Sequence, residues 1–289
     1  IGLDGAWWQG AAGDPTTRLD SADVAAVWYR HIDVAEALRG RLDPLWHEAV
    51  AAQSELALLA FTASLPGLHV DHPRRSSLVP GSPGILRLAR AAGLDVPRTL
   101  ISNEPAEIRA FVAGCGGGAI RKMLHSSSVV VTDADGRTQT GATELVTPAD
   151  LRDDATLRAC PLVWQERVDK ARELRITSVG RELFVASIDS RRSSSGAVDW
   201  RQDPALVGAF QPDALPAAVE ASVQRLLDRL GLNFATLDII RAPDGRHVLL
   251  EVNTTSYFSF IERATGLPIA EAVAALLAGD SPPRVATDG

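Results

Sequence analysis

Leu237 to Asn253, LDIIRAPDGRHVLLEVN, constrains this chain more than any other stretch. It reads as two antiparallel strands around Pro243-Asp244-Gly245-Arg246, where proline presets φ, aspartate bonds its own backbone and glycine tolerates positive φ. A four-residue loop there sets Ala242 opposite His247, and counting back sets Asp238 opposite Glu251. Opposed residues share a face about 5 Å apart. Asn253, two residues beyond Glu251, joins that face. The other face is predicted to carry Leu237, Ile239, Leu250 and Val252 into a core. Two carboxylates side by side repel, so a cation is expected between them. An Asp, a Glu and an Asn carbonyl are oxygen ligands that suit Mg2+, an ion usually completed by water and substrate phosphates. An edge hairpin with a solvated polar face is the alternative.

At 289 residues there is chain enough for one large or two to three small domains with a buried core. A formal net charge of -7 and a pI near 5.4 argue against nucleic acid as the main partner. Cys115 and Cys160 stand in unrelated contexts, which supports neither a disulfide framework nor a zinc site and fits a cytoplasmic setting. No run approaches the roughly 20 apolar residues of a membrane span.

The periodicity predicts a strand at Val24 to Tyr29 and a helix from Pro44 to Leu65, with Leu45, Ala49, Ala52, Leu56, Leu59 and Ala63 on its buried side and Pro66-Gly67 stopping it. Trp7, Trp8, Trp28 and Trp46 read as core or rim packing, and His69 to His72 as a loop. A helix at Ile85 to Ala92, a short strand at Leu94 to Leu100 and a helix at Pro105 to Val112 capped by Asn103 come next. The glycine-rich Ala113 to Gly118 has no GxxxxGK[ST] order and reads as a turn. Lys122 then sits in a strand, on the face of Ile120, ahead of Ser126-Ser127-Ser128. A lysine aimed at a Ser-rich hairpin can neutralise phosphate oxygens, although a snorkelling surface lysine gives the same pattern. Further strands are expected at Val163 to Val168, Glu173 to Val179 and Glu182 to Ile188, with Arg175 on the face away from the core. Ser190 to Gly196 reads as a basic loop, Pro216 to Leu230 as an amphipathic helix, Thr254 to Phe260 as a loop and Pro268 to Leu277 as a last helix.

This order of parts resembles the ATP-grasp superfamily and, within it, the graspetide (microviridin-type) ribosomal peptide maturases, especially the actinobacterial branch. The resemblance covers residues 5 to 277 and is carried by VWYR (27–30), GLDVPRTLISNEP (93–105), ELRITSVG (173–180), SIDSR and VDWR (within 187–201), LDIIRAPDGRHVLLEVN (237–253) and FIERATGLPIAEAV (260–273). It implies an α/β (α+β) ATP-grasp fold in which two subdomains grip ATP between antiparallel sheets. The implied units are an N-terminal lobe at 1–80, a linker helix and small subdomain at 81–168, a C-terminal subdomain at 169–280 and a tail at 281–289.

Carried over residue by residue, the resemblance gives Lys122 and Ser126 to Ser128 to the ATP phosphates. It gives Gln165, Glu166 and Val168 to the adenine, and Lys170 or Glu173 to the ribose. Asp238, Glu251 and Asn253 would hold Mg2+, and Arg175, Arg191 and Arg201 would orient the γ-phosphate and a substrate carboxylate. The implied chemistry is ADP-forming ligation: a peptide Asp or Glu carboxylate is phosphorylated, and a Ser/Thr hydroxyl or Lys amine of the same peptide then displaces phosphate. The implied partner is a ribosomal precursor peptide, its leader meeting the region from Ser190 to Phe210, and the implied assembly is a homodimer. No general base stands out. Two departures are Ser82-Pro83 where the family carries Lys-Pro, and Asn253-Thr254 where it carries Asn-Pro. A ligase adding a free amino acid to a peptide and a silent leader-binding homologue are the competing readings.

Overall fold

The computed structural model describes residues 7–11, 14–30, 34–76, 83–124, 130–132, 138–140, 143–193 and 196–285. The chain opens with an antiparallel pair, β1 (Trp7–Ala11) and β2 (Asp14–Asp20), and then β3 (Ala26–Trp28). Helices α1 (Val34–Leu38) and α2 (Pro44–Ser64) lead to β4 (Leu68–Val70), which pairs with β3 in parallel. Asp43 caps α2 by accepting the Leu45 amide at 2.9 Å, and Pro44 occupies the first turn, where a missing N–H costs nothing.

The α2 stripe expected to be buried is turned outward: Leu45 is 78% exposed and Leu56 61%, as is Trp46. Ala51, Phe61 and, just past the helix, Leu65 are the residues that pack inward. The helix is apolar on more than one side, so periodicity could find it without choosing its buried face. After it, Gly67 turns at φ +88, and a Cβ there would lie 2.2 Å from the Ala25 carbonyl oxygen. Gly67→Ala is therefore expected to cost about 2 kcal/mol and to lower the thermal midpoint, with no effect of this kind from Gly116→Ala, which has open space around it and no positive φ.

Short helices α3 (Pro73–Ser76) and α4 (Pro83–Ala91) precede β5 (Thr99–Ser102), α5 (Pro105–Ala113) and β6 (Ala119–Lys122). Glu104, not Asn103, caps α5, while the Asn103 amide donates to the Arg158 carbonyl at 3.1 Å. A hairpin of β7 (Val130–Thr132) and β8 (Thr138–Thr140), the short β9 (Glu144–Leu145), α6 (Asp154–Arg158) and β10 (Leu162–Glu166) complete this part. Its sheet runs β5-β10-β6-β9, all pairs antiparallel, over a core of Ile108, Leu157 and Trp164.

The second sheet uses β11 (Arg172–Val179), β12 (Glu182–Ile188), β13 (Gln211–Pro212), β14 (Phe234–Arg241) and β15 (His247–Asn253) in the order β13-β12-β11-β14-β15. Helix α7 (Ala217–Leu230) lays Val223, Leu226 and Leu227 against Leu174, Ile176, Leu237, Ile239 and Leu249, with Ile85 and Ala89 of α4 in the same core. On the opposite face the sheet is divided along its length. At one end Val179 opposes Phe234 and packs on α8 (Ser259–Thr265) and α9 (Ile269–Ala278), whereas at the other Arg175 opposes Asp238. Helix α8 occupies chain expected to be partly loop. Beyond α9 the described chain is tied to the second sheet: buried Arg284 donates to Asp228 at 2.8 Å and to the Gly180 carbonyl at 2.9 Å.

The β14–β15 hairpin differs from its simplest form in a compensated way. The loop is one residue longer than expected, so Arg241 and not Ala242 faces His247, with Gly245 at φ +89 in the turn. A bulge then slips the register back between Ile239↔Leu249 and Asp238↔Glu251. Leu250 is the extra residue. As a result Leu249, fully buried, takes the core position expected of Leu250.

Candidate active site

Five strands send side chains into the cleft between the two sheets, a space of about 690 Å³ counting its mouth to solvent. From the first sheet come Ile120 and Lys122 on β6, and Gln165 and Glu166 on β10. From the second come Glu173, Asp238, Ile240 and Glu251. Lys122 Nζ stands 3.9 Å from Glu251 Oε2, so a cation of one sheet faces a carboxylate of the other. Asp238 and Glu251 are directly opposed, as the period of two requires.

Three cations surround this carboxylate pair. Arg175 Nη1 donates to both Asp238 oxygens, at 2.6 and 2.7 Å. Arg201 Nη1 lies 3.8 Å from Glu251 Oε1, and the rest of its guanidinium is held by buried Asp199, at 2.9 Å to Oδ1 and 3.1 Å to Oδ2. Burial raises the Asp238 carboxyl above its ordinary value and the Glu251 charge adds to this, against the pull of Arg175. Burial acts on Glu251 in the same sense, but Lys122, Arg201 and the Asn253 amide outweigh it and hold that carboxyl below its ordinary value. The pair is thus electrostatically unequal, and cationic compensation is what keeps both acids in one cleft.

The donors fit Mg2+. Asp238, Glu251 and Asn253 offer hard oxygens, and among the described residues no three His, Cys, Asp or Glu side chains gather as an alternative centre. Asn253 Nδ2 donates to Glu251 Oε1 at 2.6 Å, so a half-turn of the amide presents Oδ1 instead. The ring of Lys122, Arg175 and Arg201 suits the phosphate oxygens that accompany such an ion.

Not every candidate residue meets there. Lys122, Gln165, Glu166, Val168, Lys170, Glu173, Arg201, Asp238 and Glu251 line the cleft. Arg175 lines a small adjoining pocket that shares Asp238 with it. The Gln165 amide is 1% exposed and tied to Thr99 Oγ1 at 2.9 Å, whereas Lys170 is paired inside the cleft with Glu173 at 2.8 Å and the Val198 carbonyl at 3.1 Å. Arg191 does not line the cleft; its guanidinium is paired with Asp189 at 2.9 and 3.0 Å. Ser126 to Ser128 and Ser82 lie outside the described residues. The residues passed over are apolar walls and a support: Leu145, Ile240, Leu250 and Asp199. Period two from Asp238 pointed to Ile240. The bulge hid Leu250, and only the folded loop reveals the hold of Asp199 on Arg201.

Residues 6–77 match the family model for the MvdD pre-ATP grasp domain. The whole fold matches a Chryseobacterium gregarium RiPP-associated ATP-grasp ligase, solved with ADP and a leader and core peptide, at TM-score 0.87 and 26% identity, covering 94% of this chain and 81% of that one. This chain has the ATP-grasp fold. It is also similar to the macrocyclase MdnC of Microcystis aeruginosa, solved with precursor peptide MdnA, at TM-score 0.81 and 29% identity over 96% of this chain and 87% of that one. A probable alpha-L-glutamate ligase 2 of Shewanella amazonensis is 29% identical over 192 residues. That match spans 65% of this chain and 60% of the relative's length. The ATP-grasp architecture explains why the cleft lies between two antiparallel sheets, each supplying half of its polar groups. No helix among the described residues is long and apolar enough to cross a membrane.

Proposed function

We propose that this ATP-grasp chain is an ADP-forming ligase that closes ester or amide cross-links within a ribosomal precursor peptide. The observation that carries this reading is the meeting of Lys122 from one sheet with the Asp238–Glu251 pair of the other. Asp238, Glu251 and Asn253 would hold Mg2+, which when bound offsets charge on the ATP phosphates. Lys122, Arg175 and Arg201 face the phosphoryl oxygens and the entering carboxylate, and Arg191 serves the peptide from outside the cleft. Gln165, Glu166 and Val168 bound the adenine, and Lys170 and Glu173 the ribose.

In the reaction a peptide Asp or Glu carboxylate oxygen attacks the γ-phosphorus, the bond from that phosphorus to the bridging oxygen breaks, and ADP leaves. The acylphosphate so formed is attacked at its carbonyl by a Ser/Thr hydroxyl or Lys amine of the same peptide. The tetrahedral adduct expels phosphate, and the nucleophile's proton passes to phosphate or solvent. The apolar walls Ile120, Leu145, Ile240 and Leu250 limit water, which protects an acylphosphate from hydrolysis. The likeness to MdnC and to the Chryseobacterium gregarium ligase supports the peptide substrate, and the reading includes a homodimer in the cytoplasm.

The likeness to probable glutamate ligases supports a second reading, transfer of a free amino acid to a peptide. The two differ in whether ADP release from ATP and peptide depends on added amino acid. A first test of either is thermal unfolding with and without Mg·ATP. A ligand at about 100 times its Kd stabilises the native state by about 2.7 kcal/mol. The midpoint is expected to rise in the parent chain and to stay unmoved in Lys122→Ala and Asp238→Asn. A parent chain unmoved at millimolar nucleotide sinks both enzyme readings and leaves a silent peptide binder.

A further inference from the structure

We propose that Arg30 is a binding site for a second carboxylate of the peptide substrate, outside the ATP cleft. This rests on the peptide-ligase reading and extends it. Arg30 ends the VWYR segment, and its guanidinium carbon lies 5.0 Å from the centre of the Trp28 ring, 5.1 Å from Tyr257 and 5.9 Å from Phe258. Ring faces attract the cation but accept none of its in-plane N–H bonds, which leaves the forked edge for a polar ligand. Among the described residues no carboxylate lies within ion-pair distance of Arg30, and no side-chain hydrogen bond from it is formed. By contrast Arg175, Arg191, Arg201, Arg241 and Arg284 are each paired with an Asp. A planar fork backed by aromatic rings is matched by a carboxylate, which it binds through two parallel hydrogen bonds.

The support is rigid on one side and open on the other. Trp28 and Phe258 stack at 6.2 Å, and Trp28 meets Phe234 at 6.3 Å, inside the core below α8 and α9. Tyr257 is 64% exposed, and its ring lies against this cation. Phe234 lies on the same face of β14 as Asp238, four residues away, or about 13 Å at strand rise. Tyr257 follows Asn253 by four residues. An extended peptide whose reacting carboxylate lies at Asp238 would therefore bring a residue some four positions away to Arg30. Arg30 thus sets which carboxylate of an acidic peptide enters the cleft.

The probe is a decapeptide of alternating Glu and Ser, beside its Gln counterpart. Each is titrated into the full chain with and without saturating Mg·ADP, following Trp fluorescence and the arginine Nε–Hε resonances. The Glu peptide is expected to bind at least tenfold tighter than the Gln peptide and to shift one Nε–Hε resonance that is missing in Arg30→Lys. Arg30→Gln should remove most of that tenfold preference, and Tyr257→Ala, which only trims an exposed ring, should lower it about threefold. Thermal melts confirm that the variants fold. A preference for Glu that is unchanged in both Arg30→Gln and Tyr257→Ala, or no preference in the parent chain, overturns the assignment. The Mg·ADP melt in the same samples separates the two readings: nucleotide binding without the Glu preference removes only the Arg30 site, and absent nucleotide binding removes the ligase.

Discussion

Glu251→Gln is expected to lower precursor conversion at least about a hundredfold, which is about 3 kcal/mol of transition-state stabilisation. Gln keeps the shape of Glu, so the hairpin and its bulge should persist, and the loss is that of one full charge. That charge now balances Lys122 and Arg201 at 3.9 and 3.8 Å and, with Asp238, would hold the metal. The apo protein should melt slightly lower than the parent, because Lys122 and Arg201 hold the Glu251 carboxyl below its ordinary value and lose that partner, a loss partly offset by relief of the repulsion that helps raise the Asp238 carboxyl. The measurements are ADP release with a converted precursor and the apo melting curve. A variant that converts its precursor at the parent rate would falsify the assigned role.

The second large effect is structural. Asp71, 2% exposed, accepts the backbone N–H of Asn233 at 2.6 Å and of Phe234 at 2.9 Å, joining the chain after β4 to the start of β14. Asp71→Ala strands two buried donors and is expected to cost about 3 kcal/mol at pH 6, read from urea unfolding. Burial pushes this carboxyl up to about 7, against the pull of the two N–H bonds. An acid whose folded value is raised binds more protons folded than unfolded, so its contribution is complete below its ordinary 3.8 and is lost as pH rises to about 7. Across that window Asp71→Asn should flatten the decline of stability with pH. An unchanged slope would show that the carboxyl is ionised in the fold.

How much of the site is legible in the chain varies with the distance over which each part is decided. The opposition of Asp238 and Glu251 follows from a turn and a period of two, although the structure reaches it through a longer loop and a bulge that cancel. The Arg175 side chain is placed by the same alternation, but its pairing with Asp238 needs the neighbouring strand. Arg191 and Arg201 each follow an Asp by two residues and are paired to it, so local sequence cannot tell them apart. Only the course of the loop brings Arg201 to Glu251 and leaves Arg191 outside.

The sequence by itself determined the elements whose causes are near neighbours: the hairpin, the strand faces, the stop at Pro66-Gly67, and the order of parts by which the ATP-grasp fold was recognisable. Tertiary structure decided which side of α2 is buried, that Leu249 rather than Leu250 enters the core, and that Arg284 is clamped by Asp228. It also decided that Lys122 reaches across to Glu251. The physical reason is that backbone geometry and turn chemistry act within a few residues. Burial and charge compensation depend instead on groups far apart along the chain, whose meeting no local pattern encodes.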